Sequence, residues 1–186
     1  MEDLNKIVKA CATGDIRAQE KLYRIFAPKM YGVCLRYAKN SAEAEDNLQD
    51  GFVKVFTHIN KFRFEGSLEG WIRRIMVNVS LEKFRQQHVV YPVEDVAVYG
   101  SKHFSEDILD KISADELVGL IQELPPRYRM VFNLYVMEGM NHQQISEEMG
   151  IAPGTSKSNL ARAREILQQK VQKLYGEIET QEIYSA

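Results

Sequence analysis

The chain has 186 residues, 45% of them hydrophobic and 27% charged, which is typical of a globular protein with one sizeable core or two small ones. Its 24 basic and 26 acidic side chains give a formal net charge of −2. This balance excludes a positive field over the whole molecule, so any surface for nucleic acid must be local. The two cysteines, Cys11 and Cys34, argue against a disulfide framework and against a zinc site built from cysteines.

The sequence carries no recognisable targeting or membrane segment. Its N-terminal residues lack the basic and apolar regions of a signal peptide, and no apolar stretch approaches the length of a membrane-spanning helix. We therefore expect a cytoplasmic protein that does not insert into a membrane.

The first part of the chain predicts three amphipathic helices. Between residues 15 and 37, apolar side chains recur every third or fourth position, which is the stripe of a helix with one buried face. Ser41 is expected to cap a second helix and Ser67 a third, the third carrying Trp71 into the core. Together these helices predict an N-terminal domain over residues 1–88.

The middle of the chain loses this periodicity and becomes acidic. Residues 93–123 contain eight acidic and two basic side chains, and we interpret residues 89–112 as a flexible acidic linker. Helical patterning then resumes and predicts a C-terminal domain over residues 113–186. The expected fold is therefore all-α, with two small helical domains joined by the linker.

A helix-turn-helix pattern lies in the C-terminal domain. Asn141 can cap a short helix, and Gly150 stands where a left-handed residue would end it. An Ala-Pro-Gly turn follows, and Thr155 is expected to cap the last helix. Residues 154–173 contain five basic side chains and one acidic one, a local positive charge that suits a helix entering the major groove of DNA. An ordinary helical hairpin with a solvated basic face is the alternative.

A second candidate surface combines aromatic and basic residues in the N-terminal domain. Phe62, Phe64 and Trp71 flank a glycine-containing loop, and the helix after it carries one largely polar stripe. The stripe comprises Arg74, Asn78, Leu81 and Arg85. Such a surface can track phosphates while aromatic rings stack unpaired bases. The alternative is that both phenylalanines close the loop onto the core, and the residue pattern leaves that choice open.

A third candidate surface is a small polar face on the preceding helix, formed by Asp46, Gln49 and Asp50. Such faces are more often merely solvated than bound to a partner. Catalytic chemistry has no comparable support, because the four histidines are scattered and neither a phosphate-cradling loop nor a nucleophile motif is present. We therefore expect a protein that is not an enzyme, with no catalytic residue, cofactor or metal.

These motifs resemble the extracytoplasmic-function group of sigma-70-type sigma factors, over nearly the whole chain. Residues 40–56 resemble the helix that docks on the clamp helices of the polymerase β′ subunit, and residues 62–78 resemble the loop and helix that capture a flipped base of the minus-ten element. Residues 124–129, 145–150 and 154–158 resemble the domain that reads the minus-thirty-five element. The sequence departs from common family patterns at Asn47, Gly51, Asn159 and Ala161.

The resemblance implies a role for each candidate surface. Core polymerase would be bound by Asp46, Gln49 and Asp50. The minus-ten DNA would be held by Phe62, Phe64, Arg74, Asn78 and Arg85. The minus-thirty-five DNA would be met by Thr155, Lys157, Ser158, Ala161, Arg162 and Arg164. The implied partners are core RNA polymerase, through its β′ clamp helices and β flap, and promoter DNA, with an anti-sigma factor as a further candidate.

The expected function is therefore that of a sigma factor, which directs core polymerase to a set of promoters and opens them. Two other classes compete with it. A self-sufficient helix-turn-helix regulator would bind duplex DNA alone, but it would not need an aromatic and basic surface suited to single strands. A nucleic-acid-processing enzyme would need clustered metal-binding carboxylates, whereas the acidic residues here concentrate in the linker.

Overall fold

The computed structural model describes residues 4–87 and 113–184, with side chains described through Leu174. The predicted linker over residues 89–112 lies outside these ranges. Every regular element within them is a helix, which confirms the expected all-α fold. The chain divides into two compact units, Met1–His88 and Val89–Ala186.

The described residues of the first unit form four α-helices where the sequence predicted three. They are α1 (Leu4–Ala12), α2 (Ile16–Tyr37), α3 (Ser41–His58) and α4 (Leu68–Gln87), with a short 3-10 turn at Ile59–Lys61. The helix that was not predicted, α1, packs on α2 and buries Ile7, Val8 and Cys11. These three positions span barely one turn, which is too short a pattern to predict a helix from sequence.

Side-chain caps begin α2 and α3. The Asp15 carboxylate accepts hydrogen bonds from the backbone of Arg17 (2.8 Å) and Ala18 (3.1 Å) at the start of α2. Asn40 caps α3, accepting from the Glu43 amide at 2.9 Å, so the prediction of Ser41 as the cap was wrong by one residue. An asparagine side chain accepts this bond at least as well as serine, and here Asn40 has the extended backbone that a cap requires.

The core of the first unit lies where α2, α3 and α4 pack against one another. Its large, fully buried side chains are Leu22, Met30, Tyr37, Val55, Ile59, Ile72, Met76 and Leu81. Burying each such side chain contributes roughly 1.5–3 kcal/mol of hydrophobic stabilisation. The three helices thus hold the exposed faces of α3 and α4 in fixed orientations.

The second unit is built around its long last helix. Its elements are α5 (Ala114–Gln122), α6 (Pro126–Phe132), a π-helical turn (Asn133–Met137), α7 (His142–Met149) and α8 (Pro153–Tyr184). Helices α5, α6 and α7 pack on α8. The core consists of Ile121, Leu124, Leu134, Ile145, Leu160 and Leu167, among others. Arg129 is also buried, and it donates to the carbonyl of Gln122 at 2.6 Å, satisfying a carbonyl at the end of α5.

Helices α7 and α8 form the predicted helix-turn-helix. Asn141 caps α7 in a reciprocal pair of hydrogen bonds with Gln144, and Gly150 ends it in the left-handed conformation (φ 64°), as predicted. The last helix, however, begins at Pro153, so Thr155 lies inside α8 and is not its cap. The fixed φ of proline suits the first turn of a helix and lets α8 start before Thr155.

Candidate nucleic-acid interface

The outer side of α3 carries the predicted polar face. Asp46, Gln49 and Asp50 are all exposed, whereas Leu48 and Phe52 point into the core. Val53, one turn beyond Gln49, continues the same face and is 65% exposed. Sequence reasoning missed Val53, although its spacing of four and seven residues from Gln49 and Asp46 was the available signal. We call Asp46, Gln49, Asp50 and Val53 the α3 face.

The α3 face is tied to α4 by one ion pair. Asp50 pairs with Lys83 of α4, their charged atoms lying 2.5 Å apart, and the neighbouring Lys54 pairs with Glu82 of α4. The hydrogen bond from Lys54 holds the pKa of Glu82 below its usual value. Within the described residues, the side chains of Asp46 and Gln49 have no such partner, which leaves them open to another molecule.

The loop before α4 holds a cluster of three aromatic rings. The Phe62 ring lies 5.1 Å from that of Phe64 and 5.7 Å from that of Trp71, measured between centroids. Trp71 is only half-buried, so the prediction of a core tryptophan was wrong. Its position near the start of α4, beside the loop, leaves part of the indole uncovered. Phe62 is likewise half-buried, and Phe64 is 43% exposed.

Phe64 also has a strained backbone. Its φ of 59° lies in the left-handed region, which a bulky side chain rarely adopts and which costs about 1–3 kcal/mol. Such strain often marks residues that take part in binding. The loop therefore holds one aromatic ring out toward solvent.

The polar stripe of α4 is not the continuous one that the sequence predicted. Arg74, Asn78 and Arg85 are exposed as expected, but Leu81 is only 1% exposed and belongs to the core. Leu81 lies at the edge of the buried side of α4, which also includes Val77 and Phe84, although the helical wheel assigned it to the polar stripe. The exposed stripe is interrupted between Asn78 and Arg85.

Helix α8, the predicted recognition helix, presents both exposed and half-buried candidates. Lys157 and Arg164 are exposed, whereas Thr155, Ser158, Ala161 and Arg162 are half-buried. The Ser158 hydroxyl donates to the Thr155 carbonyl at 3.1 Å. The predicted polar side of α8 is thus separate from its buried side, which includes Leu160, Ala163 and Leu167.

Both arginines of this surface have partners within the chain. Nη1 of Arg162 donates to Oε2 of Glu165 at 2.6 Å. The guanidinium carbon of Arg164 lies 5.6 Å from the centre of the Tyr135 ring, within the range of a cation–π contact. These contacts restrict where each guanidinium can point.

His142 lies beside Tyr135 and Arg164, although sequence reasoning assigned it no role. Its ring stacks on Tyr135 with centroids 4.8 Å apart, and Nδ1 lies 3.0 Å from the hydroxyl of the buried Ser156. Burial, together with the charges of Lys157 and Arg164, lowers the pKa of His142 below its ordinary value. Only the fold brings His142 to the predicted DNA surface, since Lys157 and Arg164 lie 15 and 22 positions away.

The described residues show no arrangement that would bind a metal, since they contain no group of three or more potential ligands among histidine, cysteine, aspartate and glutamate. Cys11 and Cys34 are buried and unpaired, and burial raises the pKa of Cys34 to about 12, which keeps the thiol protonated. No helix in the described ranges is long and apolar enough to cross a membrane.

Comparisons with known proteins place both parts of the chain in one family. Residues 22–89 match the family model of sigma-70 region 2, and residues 114–167 match that of sigma-70 region 4. The sigma factor SigW of Bacillus subtilis, of the ECF group, is 27% identical, with the alignment covering 92% of this chain and 98% of SigW. The sigma-H factor of Pseudomonas aeruginosa is also 27% identical, with 95% and 97% covered.

Among solved structures, the sigma factor RpoE in complex with the anti-sigma factor NepR from Bartonella quintana aligns with a TM-score of 0.49 and 21% identity, covering 83% of this chain and 96% of RpoE. The family assignment comes from the sequence matches. Two regions of one family together span more than half of the chain, and the curated relatives align over nearly their whole length. The chain therefore belongs to the extracytoplasmic-function group of the sigma-70 family and is a sigma factor.

Proposed function

We propose a division of labour in which residues 1–88 bind core polymerase and the minus-ten element, residues 113–186 bind the minus-thirty-five element, and residues 89–112 connect them. As a sigma factor, the protein is not an enzyme and directs RNA polymerase to promoters. The observation that best supports the proposed docking site is the α3 face, where Asp46, Gln49, Asp50 and Val53 stay exposed while Leu48, Phe52 and Val55 on the other side of the helix are buried.

The minus-ten site would act on DNA that has left the duplex. An exposed Phe64 ring can stack on an unpaired base, and each such contact is worth roughly 1–3 kcal/mol. The amide of Asn78 can hydrogen-bond a base edge, while Arg74 and Arg85 neutralise phosphates. Binding energy, with no covalent step by the sigma factor, would offset the few kcal/mol that flipping a base costs.

The minus-thirty-five site would read duplex DNA through the major groove. Arg162 would hydrogen-bond a base edge, whereas Lys157 and Arg164 would hold phosphates. Thr155, Ser158 and Ala161 would line the contact without carrying charge. The implied β flap of the polymerase would hold this unit near its DNA, and an anti-sigma factor would have to cover one of these surfaces to keep the protein inactive. We place this action in the cytoplasm, with polymerase and DNA.

The docking role predicts that replacing Asp46 and Gln49 together by alanine weakens binding to purified core polymerase. Both side chains are exposed and lack partners among the described residues, so the fold should lose less than about 0.5 kcal/mol. Core affinity would be measured by fluorescence anisotropy and helicity by circular dichroism, on the same preparation. Gln86 and Gln87, equally exposed at the end of α4, provide the control double variant, which should bind core normally.

Unchanged core affinity in a well-folded Asp46/Gln49 variant would remove the docking assignment. A run-off transcription assay with genomic promoter fragments tests the wider function alongside it. Specific transcripts should require both core enzyme and this chain. Tight, sequence-specific binding to promoter duplex without core would instead favour a self-sufficient regulator.

A further inference from the structure

Within the described part of α8, the side predicted to face DNA carries one acidic residue. Glu165 lies one turn beyond Arg162, and the two charged groups are 2.6 Å apart, with their side chains 38% and 34% exposed. A carboxylate near DNA is repelled by the phosphates, so on electrostatic grounds alone Glu165 should weaken binding. We therefore expect Glu165 to have a role that compensates for this repulsion.

The pairing leaves Arg162 able to bind a base while limiting how it can do so. A guanidinium has five N–H donors in a rigid plane, and one of its nitrogens, Nη1, is engaged by Glu165. The remaining donors can still reach the two acceptors on the major-groove edge of a guanine. The bond to Glu165 restricts the orientation of the guanidinium plane. A base pair whose acceptors lie in other positions would therefore form poorly aligned hydrogen bonds with Arg162.

The other basic residues of this surface lack such a partner. In the described part of α8, neither Lys157 nor Arg164 forms an ion pair, and Arg164 instead rests against the Tyr135 ring. These two cations are suited to phosphates, which require charge more than direction. Arg162 alone among the three is held by a carboxylate.

We propose that Glu165 is a specificity-determining residue of the minus-thirty-five site, which orients the Arg162 guanidinium toward one base pair. It acts as a positioning residue and needs no DNA contact of its own. Its presence lowers affinity for DNA in general and increases discrimination between sequences. The inference rests on the proposed base-reading role of Arg162.

The test uses holoenzyme reconstituted from core polymerase and the full chain, with promoter DNA randomised over the upstream element. Bound and unbound pools are sequenced to give the preference at every position. A good bidentate contact discriminates by about 5- to 150-fold. Glu165→Ala should reduce the preference at the position read by Arg162 by at least about threefold, while binding to the unselected pool does not fall. Glu165→Gln keeps an oxygen acceptor and should restore part of the preference.

Glu147→Gln is the matched control. Glu147 is an exposed residue of α7 whose carboxylate accepts from Gln143, so this change removes one negative charge from the same unit without touching Arg162. It should leave every base preference intact. Circular dichroism of each variant should match the parent protein, because Glu165 is only partly buried.

Three results separate this inference from the role on which it rests. If Arg162→Ala relaxes one position but Glu165→Ala relaxes none, Glu165 has no positioning role and the reading role of Arg162 stands. If Glu165→Ala still alters that position in an Arg162→Ala background, Glu165 acts independently of Arg162 and the inference is overturned. If Arg162→Ala weakens binding equally for every sequence, both roles are lost.

Discussion

The protonation of one residue, His142, is expected to affect the stability of the second unit. Its ring is held between the Tyr135 ring and the Ser156 hydroxyl, with Lys157 and Arg164 close enough to disfavour a further positive charge. Its pKa in the folded protein is therefore below the ordinary value of about 6.5, which the unfolded chain should have. As a result, the unfolded chain takes up the proton first as the pH falls.

This linkage predicts that the second unit loses stability as the pH falls through about 6.5 toward the pKa of His142 in the folded protein, and that the contribution is complete above this range. His142→Gln removes the titration, so its melting temperature should fall less between about pH 7.5 and 5.5 than that of the parent protein. Scanning calorimetry of the full chain at both pH values measures this difference. Equal pH dependence in both proteins would show that His142 does not titrate in this way.

Contacts between neighbouring residues made some helix ends predictable, but they did not determine every cap or the exposure of every side chain. The cap at Asn141 and the left-handed Gly150 follow from contacts within a few residues, and both were predicted from sequence. Asn40 and Ser41 are adjacent and equally able to cap, so the path of the preceding chain decides between them. The exposure of Trp71 depends on how the loop before α4 covers it, which no local pattern contains.

Between α3 and α4, one glycine determines how closely the two helices pack. A Cβ built at Gly51 would lie 2.1 Å from the sulfur of Met76 on α4, and Met76 is fully buried. A side chain at Gly51 therefore requires Met76 to move within a packed core. Asn47, one turn earlier, is also buried, at 2% exposure. Two of the positions at which this sequence departs from common family patterns thus lie in the buried side of α3.

Gly51→Ala should therefore lower the free energy of unfolding by about 1–3 kcal/mol, the usual range for overpacking, although alanine itself favours a helix. Gly32→Ala is the control, since Gly32 lies within α2 with nothing near its Cβ position. That change should stabilise the protein by up to about 1 kcal/mol. Urea unfolding followed by circular dichroism measures both. If Gly51→Ala proved as stable as Gly32→Ala, Met76 would have room to move and this packing argument would fail.

Long amphipathic stripes predicted most elements correctly because hydrophobic burial and helical periodicity act together over several turns. The prediction failed where that signal is short or ambiguous. Helix α1 has too few turns to show a stripe, and Leu81 lies on a polar stripe by its spacing but is buried because it stands at the edge of the side that α4 packs against the core. The start of α8 at Pro153 depends on the turn from α7.

At the scale of the molecule, the sequence separates two helical regions because periodicity stops between them, and the described helices group into two units. The residues assigned to core and minus-ten binding lie on α3, α4 and the loop between them, and all are exposed except the half-buried Phe62. The ion pairs around these residues could not be predicted, because a pair such as Asp50 with Lys83 joins residues more than thirty positions apart. The binding roles themselves require measurements on the holoenzyme.

Promoter opening would combine core docking with base capture, and it gives the last prediction. Phe62→Ala and Asn78→Ala holoenzymes should bind core normally and form closed complexes, but should open duplex promoters poorly, because stacking and edge contacts no longer offset the cost of flipping a base. A template already unpaired over the minus-ten element should partly rescue both, since that cost has been removed. Permanganate reactivity of unpaired thymines measures opening, and Gln86→Ala, exposed on the same helix, is the control. Normal opening of duplex promoters by both variants would exclude base capture by this loop and helix, whereas a defect that persists on the bubble template would indicate that they act after the strands have separated.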